Sequence, residues 1–158
     1  MKNIIPPARA VELAWGAGEY LSPEAIAEAD IAAASHRYIE PVAGRAMVEA
    51  MAEGRYEQLR DEYAAPALAM YVRLMVQPAL DIRTGQAGSV VQHSAGADPA
   101  SAEARAAGLR SVRQRAGQLL RRLSERLDTA ADGEFPEYDP RYNILKRCST
   151  DGGIVQIF

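Results

Sequence analysis

Apolar residues recur at three- and four-residue steps along most of this 158-residue chain, the spacing that gathers them on one side of an α-helix. The first run predicts a short helix over about 8–15, with Val11 and Trp15 on one face and Gly16 and Gly18 ending it. Ser22 and Pro23 suit the entry of a second helix, because serine accepts a bond from a free backbone amide and proline fits the first helical position. Ala27, Ile31, Ala34 and Tyr38 make its apolar face. Pro41 predicts a boundary, since the residue before a proline avoids helical angles. A third helix follows to about Glu53, with Ala43, Met47, Ala50 and Met51 as its stripe and Gly54 as its cap. The fourth spans about 56–77, with Leu59, Tyr63, Ala67, Met70, Tyr71 and Leu74 inward. Pro66 lies inside it and predicts either a kink or a division into two.

The pattern changes at Leu80. Ile82 and Thr84 alternate with polar neighbours, Gly85 and Gly88 bracket a turn, and Val90 and Val91 resume, which predicts a β-hairpin or extended arm near 80–94. A two-stranded hairpin is marginal alone in water, so the arm should lean on its own helices or on a neighbouring subunit. The strongest periodicity then predicts a helix over about 99–129, with Leu109, Val112, Ala116, Leu119, Leu120, Leu123 and Leu127 inward. Its other face carries Arg105, Arg110, Arg113, Arg115, Arg121, Arg122 and Arg126. Gly133, Pro136 and Pro140 stop the helical pattern, while Phe135, Tyr138 and Tyr142 are candidate anchors. Beyond a pivot at Asp151-Gly152-Gly153, the apolar end Ile154-Val155-Gln156-Ile157-Phe158 is rich in strand formers. The expected fold is mainly α: a bundle of about four to five helices, a β-hairpin or extended arm, and an extended C-terminal tail. As domains, this is a helical unit over 1–142 with its arm at 80–98, then a tail over 143–158.

Composition sharpens this picture in three ways. Abundant alanine favours helix. A formal charge of −3 argues against a dedicated nucleic-acid binder, which is usually basic. One cysteine, Cys148, excludes an intramolecular disulfide and suits a reducing compartment. Two early prolines with Arg9 and Glu12 interrupt any signal-peptide core, and no window approaches the roughly 18 apolar residues of a membrane helix. No membrane partner is expected.

No catalytic constellation emerges, and the chain is read as a non-enzyme without metal or cofactor. His36 and His93 are the two histidines, too few and too far apart for metal-ligand spacing. Cys148 has no base at a telling distance in sequence and is read as an incidental thiol. Gly85-Gln86-Ala87-Gly88 lacks the lysine and hydroxyl residue of a phosphate loop and is read as a turn. The arginine face admits two readings. Guanidinium groups bind phosphates well, but no aromatics are interleaved for base stacking. A solvated face, partly paired across helices or subunits, is favoured.

Three segments in order resemble a known family. Ile31–Arg45 reads IAAASHRYIEPVAGR, a helix ending in Tyr-Ile, then proline, then a nearby glycine opening the next helix. Pro66–Tyr71 leads to Leu80-Asp81-Ile82-Arg83 and on to Gly88-Ser89-Val90-Val91. The long helix is followed by Phe135-Pro136-Glu137-Tyr138. This order, over roughly residues 8–142, resembles phage head–tail connector (adaptor) proteins, in the version found in phages and prophages of gut Bacteroides-type bacteria. The chain departs from that pattern in having Ala43 where a larger apolar residue is expected before the glycine, and few aromatics after Gly44.

The resemblance implies a small helical bundle that assembles as a homo-oligomeric ring beneath the portal. Portal and tail-completion proteins would be its partners, with DNA only in transit. It also implies a host-cytoplasmic site of assembly and a final place in the virion neck. It gives a role to the arm and the tail, which would grip neighbouring chains by strand addition. The expected interface residues are Ile82, Val90, Val91, Arg121, Arg122, Ile154, Val155, Ile157 and Phe158. The alternative function is a small helical regulatory module that binds nucleic acid through the arginine-rich helix at 105–126.

Overall fold

The computed structural model describes residues 2–16, 19, 21–81, 83–85, 88–90, 101–131, 133–146, 148–151 and 154–157. The architecture is mainly helical, as the periodicity predicts, with five helices among the described residues. Helix α1 is Pro7–Ala14, entered by a proline at the first turn, with Ala10 and Ala14 buried. Helix α2 covers residues 28–43, α3 is Arg45–Ala52, α4 covers residues 57–80, and α5 is Ala102–Asp128.

Helix α4 is the centre of the molecule. Ala67, Leu68, Ala69, Met70, Tyr71 and Val72 are all buried, as are Ala64, Ala65 and Val76, so the helix is covered around its whole circumference. The single stripe expected from the sequence is therefore too narrow, and two of its members, Tyr63 and Leu74, are only partly buried. Helices α1, α2 and α5 pack on α4. Alanines at the contacts, including Ala10, Ala34 and Ala116, let the backbones approach closely, while Ile31, Ile39, Met47, Met51, Leu68 and Leu123 fill the interior.

The second helix starts later than Ser22 and Pro23 suggest. Pro23–Ala25 is a single 3₁₀ turn and Ser22 makes no side-chain cap bond. Ile26, buried at extended backbone angles, interrupts the helical path. The helix begins only at Glu28, where Asp30 Oδ2 accepts from the Ala27 N–H at 3.2 Å. Ala27, expected on the apolar face, is exposed.

Pro41 does not end α2, contrary to expectation, and Pro66 neither splits nor ends α4. Each follows a five-residue π-turn, Ser35–Ile39 in α2 and Arg60–Ala64 in α4. The turns close on the residue just before the proline. The Glu40 N–H donates to the Ser35 carbonyl, and the Ala65 N–H to the Arg60 carbonyl. A proline in a regular helix lacks a donor and collides with the carbonyl four residues back. One extra residue in the turn relieves both problems. The break expected at Pro41 falls at Gly44 instead, which has φ +86° and ψ 149°. Gly54, at φ +93°, closes α3 as a C-cap, with Arg55 N–H on Ala50 O at 2.9 Å and Gly54 N–H on Met51 O at 3.2 Å.

Helix α5 begins at a serine cap, where Ser101 Oγ accepts from the Ala104 N–H at 3.1 Å. Its burial is one-ended. Ala116, Leu120, Leu123, Ser124 and Leu127 are buried, but Leu109, Val112 and Leu119 of the expected stripe are only partly covered. A helix of 27 residues is about 40 Å long.

The segment after α5 folds back on it. Phe135 is buried and meets Tyr56 edge-on, with ring centroids 5.2 Å apart. Tyr142, the third expected anchor, is 65% exposed. Asn143, assigned to the tail by the sequence reading, takes the interior place. It is fully buried and donates to Ser124 Oγ at 2.7 Å and to Tyr138 OH at 2.9 Å, while its Oδ1 accepts from the Leu145 N–H at 3.0 Å. Tyr138 OH in turn donates to Asp128 Oδ1 at 2.6 Å, and Lys146 Nζ sits 2.7 Å from the same carboxylate. The packed body thus continues through Lys146.

Two short antiparallel ladders lie outside the helices. Arg83–Gly85 pairs with Gly88–Val90, Thr84 opposite Ser89. Cys148–Asp151 pairs with Ile154–Ile157, Thr150 opposite Val155. The C-terminal piece is therefore folded back rather than extended.

Asn143→Ala leaves Ser124 and Tyr138 short of a partner and should cost about 1–3 kcal/mol in urea unfolding. Burial and the Asp128 carboxylate push the Tyr138 phenol up to about 12. A neutral form favoured in the folded state means that this stability is present below the ordinary phenol range near pH 10 and is lost as pH rises towards 12. The melting temperature should fall over that interval, and fall less in Tyr138→Phe.

Candidate interaction surface

The incompletely buried half of α5 borders a groove of about 550 Å³. Arg37 and Tyr38 of α2 form one wall, Leu74, Met75 and Pro78 of α4 the floor, and Ala106, Leu109, Arg110 and Arg113 of α5 the other wall. Tyr38 stacks on Tyr71 with ring centroids 3.9 Å apart and planes at 10°. The Arg37 guanidinium carbon lies 5.4 Å from the Tyr38 ring centre. Burial pushes the Tyr71 phenol above its ordinary range, and the charges of Arg121 and Arg113 oppose it without prevailing. Along α5, Ala106, Arg110, Arg113, Gly117 and Arg121 follow one line at three- and four-residue steps.

The arginines of α5 divide into two groups. Arg126 is structural: it pairs with Glu134, holds that carboxyl below its ordinary range, and lies 5.1 Å from the Phe135 ring centre. Arg105, Arg110, Arg113, Arg115, Arg121 and Arg122 make no ion pair among the described residues. Arg37 makes none either, whereas Arg73 is held by Glu19 at 2.7 Å and by the Ala14 carbonyl at 2.6 Å.

Among the described residues, the expected interface residues fall on α5 and on the two ladders. Arg121 and Arg122 are exposed on α5, the first acting on Tyr71 and the second 5.7 Å from the Tyr63 ring centre, so they face different neighbours. Val90 stands opposite Arg83 in the first ladder. In the second, Ile154 stands opposite Asp151, Val155 opposite Thr150, and Ile157 opposite Cys148. Ile82, Val91 and Phe158 lie outside the described residues, as does His93. Of the groove residues, the spacing places Tyr38 and Leu74 on buried faces rather than at an interface, and singles out neither Arg37 nor Met75. Arg37 and Tyr38 sit in a π-turn, which shifts the phase of the helix at that point.

Chemistry is sparse among the described residues. No three His, Cys, Asp or Glu side chains gather as metal ligands. His36 meets only Glu40, at 2.7 Å. A smaller cleft of about 250 Å³ is lined by Tyr56, Tyr63, Arg126, Glu134 and Phe135. Tyr56 enters α4 at φ 57°, and its hydroxyl donates to Glu137 Oε2 at 2.7 Å, with Arg55 on the same carboxylate. Those groups satisfy one another. No helix among the described residues is long and apolar enough to cross a membrane.

The contrast along α5 is testable in the isolated protein. Leu123→Ala, at a site with no exposure, should cost about 2–5 kcal/mol in urea unfolding. Leu109→Ser should cost under about 1 kcal/mol, because the side chain already meets solvent.

No curated protein and no solved structure matches the chain. A family model matches residues 30–146, from the first turn of α2 to the turn that holds Asn143 in place. The chain belongs to that family, a family of unknown function (DUF6712).

Proposed function

We propose that this protein is a structural subunit of a phage or prophage head–tail connector, assembling as a ring between portal and tail and catalysing no reaction. The observation that carries the reading is the half-covered α5: a leucine- and arginine-lined surface with no ion-pairing partner inside its own chain among the described residues. A subunit whose partners are other chains needs such a surface, and a head-to-tail contact closes into a ring when its rotation is right. The two short ladders add support. Each has two strands, so among the described residues each strand keeps one edge without a partner, and open edges invite strand addition. In this reading Ile82, Val90 and Val91 of the arm, Arg121 and Arg122 of α5, and Ile154, Val155, Ile157 and Phe158 of the tail meet neighbouring subunits, portal or tail-completion proteins. DNA passes through the ring without tight binding. Assembly occurs in the bacterial host cytoplasm, and the product resides in the virion neck.

A second reading, a regulatory module that binds nucleic acid through 105–126, draws on the same unpaired arginines. It predicts a duplex-DNA gel shift that weakens steeply with salt.

Electron microscopy of the full chain, alone and with portal, tests the first reading: rings support it, and persistent monomers that never join a portal overturn it. Deleting residues 148–158 should leave the melting temperature nearly unchanged and abolish assembly. A large loss of stability would show that the C-terminal ladder completes the core instead.

A further inference from the structure

The ring reading leaves open which faces meet, and charge distribution points to an answer. Helix α5 carries seven arginines against three carboxylates, whereas residues 1–64 carry eleven carboxylates against six basic residues. The acidic excess has a particular exposed place. In the segment Pro23–Ala29, Ile26 is buried while Pro23, Glu24, Ala25, Ala27, Glu28 and Ala29 are all exposed. Neither Glu24 nor Glu28 pairs with a cation among the described residues. The segment presents small apolar side chains between two carboxylates. The groove presents an apolar floor, Leu74 and Met75, beneath Arg37, Arg110 and Arg113, with no acid in its lining. Each surface offers what the other lacks.

We infer that the Pro23–Ala29 segment of one copy of this chain docks in the α2–α4–α5 groove of the next, with Glu24 and Glu28 against Arg37, Arg110 and Arg113. The contact must be between chains. Both surfaces are tied to the same helix: the segment leads into α2 at Glu28, and Arg37 lies nine residues on, about 13 Å along the axis. Burial of Ile26 and the bond from Asn3 Nδ2 to the Glu28 carbonyl, 3.0 Å, hold the segment there. It cannot bend into its own groove. The two surfaces share no residue, so the contact is head-to-tail, the type that generates rings. The inference rests on the connector reading for its context but requires only a copy-to-copy contact.

Sedimentation equilibrium of the full chain tests it, at concentrations up to about 1 mM, where even weak association registers. The groove variant is R110E with R113E, and the segment variant is E24R with E28R. All four positions are exposed, and circular-dichroism melts check that both variants fold. Each variant alone sets like charges against each other and should weaken self-association by at least about tenfold. An equimolar mixture restores opposite charges at every contact, acid groove with basic segment and basic groove with acidic segment, and should recover association. Wild-type association should also weaken as salt rises. A mixture that fails to recover, variants that associate like wild type, or a wild type monomeric throughout overturns the inference. Rings formed with portal despite those results would leave the connector reading standing. If the groove variant still self-associates but loses duplex-DNA binding, the groove is a nucleic-acid site and the inference fails.

Discussion

Everything in this fold depends on a helix that has no solvent face over much of its length. Six consecutive residues of α4, Ala67 to Val72, are buried, and a helix apolar on every side must be covered on every side. Helices α1, α2 and α5 exist in their observed places because they supply that cover. The alanines at their contacts shorten the interaxial distance, and few larger side chains, Ile31, Leu68 and Leu123 among them, fill what remains. The cover is complete only where α5 runs against α4 from Ala116 onward. Its earlier turns lie beside the last turns of α4 without being buried, and the groove runs between them.

Two prolines show how the bundle keeps its long helices intact. Pro41 and Pro66 follow π-turns closed by i→i−5 bonds from Glu40 and Ala65. The extra residue rotates the following side chains relative to a regular helix. In α2 this widened turn carries Arg37 and Tyr38, which form one wall of the groove, and Tyr38 stacks on Tyr71 of α4. The device that accommodates a proline thereby also sets part of the surface. Ser35, within the same turn, is buried with its hydroxyl unpartnered among the described residues.

At the other end of the molecule, polar groups do what apolar packing does in the centre. Asn143 binds Ser124 on α5, Tyr138 and its own following turn, and Asp128 receives both Tyr138 and Lys146. A buried amide with its partners in place specifies one arrangement of the connecting segment, since any shift strands donors away from water. Phe135 against Tyr56 and the Arg126–Glu134 pair close the same corner. The family match ends at residue 146, where this corner ends.

By itself the sequence determined that the chain is mainly helical, roughly where four of the helices lie, that Gly54 caps α3, and that Ala116, Leu120, Leu123 and Leu127 turn inward. Those features follow from local spacing and propensity, which a single strand of residues expresses fully. Tertiary structure decided the rest. That α4 is buried all round depends on three neighbours, and no periodicity separates a stripe facing one helix from a surface facing three. That Pro41 continues a helix and Gly44 breaks it depends on a π-turn, whose cost is offset only once Ile39 and Val42 are packed. That Leu109 meets solvent while Leu123 does not depends on which neighbours the other helices place beside each turn of α5. Asn143 carries no signal in sequence, because a polar residue is interior only where distant groups, here Ser124 and Tyr138, meet its hydrogen-bonding needs.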